Sequence, residues 1–276
     1  MLTLPRSDGC NLKVVLLDAY NLIHRARSGF TRGDHAIVFN FFRGVRPIVE
    51  KLNPDKVYFV LEGYPAHRKE AFVEYKANRP KQSDSFNRQK KEIIELVKEA
   101  MPFDIMRHPD LECDDLIANL ANYHSSLGDE CVIVSGDSDF IQIFDSCENV
   151  EIYHPIKKSF VENPDYDYLS WKALRGDSSD NIPGIKGVGD KTATKLVTDN
   201  KLLSDFLSKK ENKEIYERNL QLISFTWLSD FSPGDYTVSC GQMKPDILLN
   251  KFSDMGFSSM IKENTWKKYK ETFNSM

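Results

Sequence analysis

No CxxC pair and no zinc-type Cys/His spacing occurs among the five cysteines, Cys10, Cys113, Cys131, Cys147 and Cys240. An odd, scattered set fits reduced thiols better than a disulfide framework, which points to a cytosol-like compartment. Long apolar runs are also missing: nothing approaches the ~18 residues that a membrane helix requires. Residues 1–12 contain Pro5, Arg6, Asp8 and Gly9 but no apolar centre of a secretion signal, so a soluble, unexported protein is expected. There is no internal repeat and no low-complexity tract. Nor is there an overall basic charge. The formal charge of −4 argues against a polyanionic partner, unless metal ions neutralise clustered acids and leave the rest of the surface more basic than the total implies.

What is present is enough apolar material for a large core: 41% of 276 residues is hydrophobic, which suits one big domain or a domain with a smaller companion. Short apolar runs bounded by turns read as buried strands of a parallel sheet. Several end in acids. Val14 to Leu17 leads into Asp18, Val57 to Leu61 into Glu62, and Cys131 to Val134 through Ser135-Gly136 into Asp137 and Asp139. Such sheets bind ligands at the carboxyl ends of their strands, so these acids should converge on one edge. Crowded carboxylates repel, and hard divalent cations with a preference for oxygen would relieve them.

Between the strands, helical spacing appears. Asp34 is placed to cap a helix through Leu52, and Pro65 to open another toward Tyr75. The polar stretch Ala77 to Asn87 reads as a mobile or substrate-ordered segment, followed by an amphipathic helix from Gln89 to Met101. A short strand at Phe103 to Met106, a helix at Glu112 to Tyr123 and a strand at Val150 to Tyr153 complete an alternating α/β pattern. From about Asp165 the strand signal fades, and Ser229 to Met276 reads as packing and surface. Two domains are expected: residues 1–165, with an arch segment at about 77–92, and a helical region at 166–276.

Three further features bear on function. Glu112 and Asp115 fall on nearly one helix face, beside Asp114; macrodipole-favoured acids at a helix start would look the same. Gly176-Asp177-Ser178-Ser179-Asp180-Asn181 could be a functional acid pair or an Asx-rich turn. Gly184-Ile185-Lys186-Gly187-Val188-Gly189-Asp190-Lys191 reads as a helix-hairpin-helix, spanning about 181–199, whose free amides suit a phosphate backbone. Lys186 and Lys191 would add charge contacts without reading bases. A P-loop is disfavoured, because Asp190 separates Gly189 from Lys191. The segment from His67 to Lys91 is locally basic, with Arg68, Lys69, Lys76, Arg79, Lys81, Arg88, Lys90 and Lys91 against three acids; a solvated mixed-charge face explains it equally well.

Taken in order, Asp18-Ala-Tyr-Asn-Leu-Ile-His-Arg, Glu62-Gly with Arg68 and Tyr75-Lys76-Ala-Asn-Arg79, Glu112-Cys-Asp-Asp115, Ser135-Gly-Asp-Ser-Asp139, and Gly176-Asp through Gly189 resemble the flap endonuclease and 5′→3′ exonuclease family. That family includes stand-alone bacteriophage 5′ nucleases and the 5′-nuclease domain of bacterial DNA polymerase I. The resemblance covers roughly Lys13 to Lys262. It implies a PIN-like α/β core with a mostly parallel central sheet flanked by helices, a helical arch, and a C-terminal helical region bearing the hairpin. It also implies hydrolysis of phosphodiesters near 5′ ends or flaps with two Mg²⁺ or Mn²⁺ ions.

By that resemblance, Asp18, Glu62, Glu112 and Asp114 are ligands of the first ion, with Asp115 nearby. Asp137, Asp139, Asp177 and Asp180 serve the second, some of them through water. Lys76 and Arg79 are the catalytic cations. His24 takes the place of a stacking aromatic, and Arg25, Lys186, Gly187, Gly189 and Lys191 contact DNA, with K⁺ as a further candidate at the hairpin. The partners implied are flap, nicked or 5′-ended duplex DNA, RNA–DNA hybrids and replication proteins. No membrane is implied; a monomer in the cytoplasm of a bacterial or phage-infected cell is expected. Glu62 stands where the family usually has aspartate, which lengthens that ligand by one methylene. Other readings of the same residues are a catalytically weak DNA-binding protein of this fold, an RNA-cutting nuclease, and a phosphatase using Asp18. The last is disfavoured because Tyr20 stands where a second acid is commonly needed.

Overall fold

The structure is a computed structural model that describes residues 11–29, 31–274 and 276; Cys10 and the rest of residues 1–10 lie outside it. Nine strands are present among the described residues: β1 Lys13–Asp18, β2 Lys56–Leu61, β3 Asp104–Arg107, β4 Glu130–Val134, β5 Val150–His154, β6 Ser159–Phe160, β7 Gly176–Asp177, β8 Ile182–Pro183 and β9 Thr237–Ser239. Seven form one sheet in the order β6-β5-β4-β1-β2-β3-β9. The five inner strands run parallel, and β6 and β9 close the edges antiparallel.

Strand β1 shows why the apolar runs become central strands. Val14, Val15, Leu16 and Leu17 are each 0% exposed. Because successive side chains point to opposite faces, Val15 and Leu17 enter one core and Val14 and Leu16 the other. Burying each such side chain contributes about 1.5–3 kcal/mol, so a two-sided burial of this kind fixes the strand at the sheet centre. The first face is covered by helices Ala36–Leu52 and Asp84–Ala100, and the second by helix Cys113–Ser126.

Two sequence expectations change here. The segment 77–87 is irregular only as far as Ser83, whose hydroxyl accepts from the amide of Phe86 at 3.2 Å and starts the helix at Asp84 rather than at Gln89. Buried Phe86 and Gln89 anchor that first turn, so a polar composition hid a capped and packed helix start.

The C-terminal residues differ as well. Strand β9 pairs with β3, and helices Pro245–Asp254 and Glu263–Asn274 insert Leu248, Phe252, Trp266, Tyr269 and Phe273 into the first core. The part of the chain read as packing and surface is therefore structural for the N-terminal sheet. Between these parts, helices Tyr168–Arg175 and Asp190–Val197 flank the hairpin and share a smaller core with Leu174, Ile185, Val188 and Ala193. No described helix is long and apolar enough to cross a membrane.

Candidate metal centre and nucleic-acid interface

The register of the parallel strands places Asp18 at the end of β1, with Glu62 directly after β2 and Ser135-Gly-Asp137 directly after β4. Asp18 caps the following helix by accepting from the amide of Asn21 at 3.0 Å, and Ser135 Oγ donates to its Oδ2 at 2.8 Å. Helix Cys113–Ser126 brings its N-terminus to the same edge: the Cys113 amide donates to Glu62 Oε2 at 3.2 Å. Asp137 caps the 3₁₀ turn Ser138–Asp145 through the amide of Asp139 at 3.0 Å. Each acid is thus set by a backbone end that must be capped in any case.

The charges crowd. Asp139, Asp177 and Asp180 each offer an oxygen within 4.8 Å of one another. Glu112, Asp114, Asp139 and Asp180 line one small cavity with Arg68 and Tyr75. Burial, with the charge of Asp137 adding to it, pushes the Asp18 carboxyl up to about 6. Burial and the neighbouring Glu112 push Glu62 up to about 7. Asp114 is also raised, by burial first and then by Asp137, Asp18 and Glu62. Acids that resist ionisation because they are buried, and further because other acids lie beside them, fit a divalent cation, whose charge offsets both effects. The donors are all oxygens, the set that hard ions prefer. Cys113 sits behind them and donates its thiol to the carbonyl of Val60 at 3.2 Å.

Four cations counter the remaining acids. Lys76 Nζ pairs with Glu112 and lies 3.5 Å from Asp180 Oδ2, while Arg79 Nη2 lies 2.5 Å from Asp180 Oδ1. Although burial would raise Glu112, Lys76 and Arg68 outweigh it and hold the carboxyl below the usual range. Tyr75 OH donates to Glu112 Oε2 at 2.7 Å. Lys76 has a φ of 56°, left-handed for a residue with a side chain, and its amide donates to Asp180 O at 2.9 Å. Strain of this kind costs about 1–3 kcal/mol and persists only where surroundings hold it, here by fastening Lys76 to the hairpin-bearing half of the chain.

Sequence reasoning singled out neither Arg68 nor Lys172 as a site residue. Arg68, 4% exposed, clasps Asp115 through 2.6 and 2.7 Å bonds and reaches Glu112 Oε2 at 2.7 Å. Asp115 is thereby turned to Arg68 and to the amide of Thr226, 2.8 Å away, instead of to the gathered acids. Lys172, also 4% exposed, contacts Asp139 and Asp177 and overrides burial to hold Asp177 at about 2. Arg68 stands within the Glu62–Arg79 motif. Lys172 had no local signal, since only the packing of helix Tyr168–Arg175 brings it to Asp139.

The other residues expected to contact DNA are not among those lining the acidic cavity. His24 is exposed and its ring lies 4.7 Å from that of Phe86, in the first turn of helix Asp84–Ala100. Arg25 lies on the groove side of its helix, beside Tyr153 and Lys51. In the hairpin, Gly187 has φ 84° and Gly189 is the N-cap of helix Asp190–Val197, leaving its first amides unbonded within the helix. Lys186 and Lys191 are exposed on either side of that turn. Gly184 is required by proximity: a Cβ there would fall 1.9 Å from the carbonyl oxygen of Arg175.

The chain resembles known proteins in sequence and in fold. The chain is 32% identical over 228 residues to DNA polymerase I of Mycobacterium tuberculosis, covering 71% of this chain and 24% of that protein. It is 33% identical over 202 residues to the thermostable DNA polymerase I of Thermus thermophilus, covering 67% and 24%. The chain thus spans about a quarter of the length of these curated relatives. Among solved structures, a bacteriophage T5 flap endonuclease complexed with DNA and metal ions superimposes with a TM-score of 0.65 at 17% identity, covering 95% of this chain and 98% of that one. The catalytic core of Rad2 bound to a DNA substrate gives 0.57 at 13% identity, with 96% and 92% covered. Residues 13–169 match the family described as 5'-3' exonuclease, N-terminal resolvase-like domain, and residues 164–223 match 5'-3' exonuclease, C-terminal SAM fold. More than half of the sequence lies within the first of these matches alone, and the chain belongs to the 5'-3' exonuclease family.

Proposed function

We propose that this protein is a structure-specific 5′ nuclease that hydrolyses phosphodiesters near the 5′ ends or flaps of DNA. The observation that carries this reading is the convergence of Asp18, Glu62, Glu112 and Asp114 with Asp139, Asp177 and Asp180 at one sheet edge, with Lys76 between the two groups. Asp18, Glu62, Glu112 and Asp114 would hold one Mg²⁺ or Mn²⁺ ion, and Asp137, Asp139, Asp177 and Asp180 the other. When bound, such ions supply an activated water and charge stabilisation at the leaving oxygen.

The chain's own groups do the rest. Lys76 and Arg79, held beside the acids by Glu112 and Asp180, would offset charge on the phosphate oxygens. Tyr75 keeps Glu112 oriented. Lys186, Lys191 and the hairpin amides grip one backbone of the duplex and set its distance from the acids. His24, exposed and resting against the buried ring of Phe86, would flank the path by which a 5′ end reaches the acids. K⁺ at the hairpin, RNA–DNA hybrids as substrates, replication proteins as partners, and a monomeric, cytoplasmic enzyme belong to the same proposal.

The deciding experiment uses 5′-labelled flap, nicked, blunt and RNA-primed duplexes with Mg²⁺, with Mn²⁺, and with a chelator. Cleavage confined to metal-containing reactions, with product lengths set by the junction or the 5′ end, is expected. Duplex binding with no cleavage under any metal would leave a binding protein of this fold.

A further inference from the structure

Away from the acids, the sheet face beneath helix Ala36–Leu52 opens into a cavity of about 660 Å³. It lies between that helix, the end of helix Ala19–Ala26, and the β5–β6 hairpin with its turn Pro155–Lys158. Four cations border it, Arg25, Arg43, Lys51 and Lys158, and no acid does. None of the four makes an ion pair with a described residue; Lys51 instead donates to Lys158 O at 3.1 Å and sits 4.6 Å over the ring of Tyr153. Its floor is apolar, from Leu22, Phe41, Val45 and Ile48, and Ile156 at the rim is 65% exposed.

The wall is low for a reason that packing does not demand. Gly44 faces the cavity from the helix interior, and a Cβ there would meet nothing within 4 Å. Glycine at an interior helical position is less stable than alanine by about 0.5–1 kcal/mol, so its effect is to leave the groove open rather than to relieve a clash.

We infer that this groove docks an acidic peptide with aliphatic anchors, contributed by a partner protein. Charge complementarity sets the sign: uncompensated cations around an apolar floor call for carboxylates flanking Leu- or Ile-type side chains. A nucleic-acid strand suits the surface less well. Sequence-tolerant strand binding relies on exposed aromatic faces, and the aromatic rings here, Phe41 and Tyr153, are 2% and 3% exposed.

The test displays a random library of peptides of roughly 12 residues on phage against the full chain, with counter-selection on Lys51→Glu/Lys158→Glu. The peptides retained should combine Asp or Glu with Leu or Ile. A fluorescent copy should lose affinity at least about tenfold on the charge-reversed protein and weaken with salt. Gly44→Leu, whose Cβ meets nothing within 4 Å, should stay folded and also abolish binding. Flap cleavage should be unchanged in both variants. The inference is overturned if the retained peptides lack acids, if they bind both proteins equally, or if Gly44→Leu binds normally. It is equally overturned if an oligothymidylate of the same length displaces the peptide and loses affinity on charge reversal, which would make the groove a nucleic-acid track.

Discussion

Lys172 Nζ lies 2.8 Å from Asp177 Oδ2 and also contacts Asp139, so one buried ammonium holds together a carboxylate of the 3₁₀ turn Ser138–Asp145 and one of strand β7. Removing one partner of a buried pair costs roughly 3–5 kcal/mol, because the other charge is left uncompensated. Lys172→Met should therefore lower the unfolding free energy, measured by urea titration in chelator, by an amount in that range. Millimolar Mg²⁺ should recover much of the loss by neutralising the same acids. Equal losses with and without Mg²⁺ would separate Lys172 from the metal centre.

Arg68 presents a different case, since its pairing with Asp115 faces away from the gathered acids. Arg68→Ala leaves Asp115, which is fully buried, without its cation and Glu112 with Lys76 alone, and a loss of about 3–5 kcal/mol is expected. Arg68→Lys should recover only part of it, because a point charge cannot reproduce the two-pronged contact. Denaturant unfolding measures both, and a Lys variant as stable as the parent would contradict the geometric argument.

Asp137→Asn combined with Asp139→Asn should leave duplex affinity largely intact and remove metal-dependent cleavage. Gel-shift binding and single-turnover cleavage on the same flap substrate report the two effects separately. Robust cleavage by this double variant would refute the proposed second ion site.

For Lys76→Ala, a fall of about 10²-fold or more in single-turnover rate is expected if it acts as one preorganised electrostatic donor. Its positive φ adds a control. Lys76→Gly should relax the backbone yet be as slow as alanine, since the charge and not the turn is what the chemistry uses. A rate restored by glycine would assign Lys76 a purely conformational role.

Replacing Lys186 and Lys191 with alanine removes two exposed charges at the hairpin. The slope of log affinity against log salt should become shallower by about 1 per lysine if each contacts a phosphate. An unchanged slope would mean that the duplex passes elsewhere.

Much of this molecule was legible before any coordinates. The apolar runs of β1, β2 and β4 announce central parallel strands because strands buried on both faces need uninterrupted apolar sequence. The acids after them announce a site because strand ends are where side chains leave the core. Gly184 through Gly189 announce a turn because positive φ and close backbone approach exclude most side chains. All of these are local signals, readable within a few residues.

What the sequence could not supply is pairing between distant segments. That Asp115 turns to Arg68, that Lys172 joins Asp139 to Asp177, and that Tyr269 and Phe273 complete a core begun by Val15 depends on how helices pack after long loops close. The start of helix Asp84–Ala100 was hidden for a related reason: its polar residues favour coil in isolation, and burial of Phe86 outweighs that preference. Local pattern thus determined the sheet, the acidic edge and the hairpin. Only the tertiary structure decided which charges neutralise one another, because a charge selects its partner through three-dimensional proximity and desolvation, and neither is encoded at any single position.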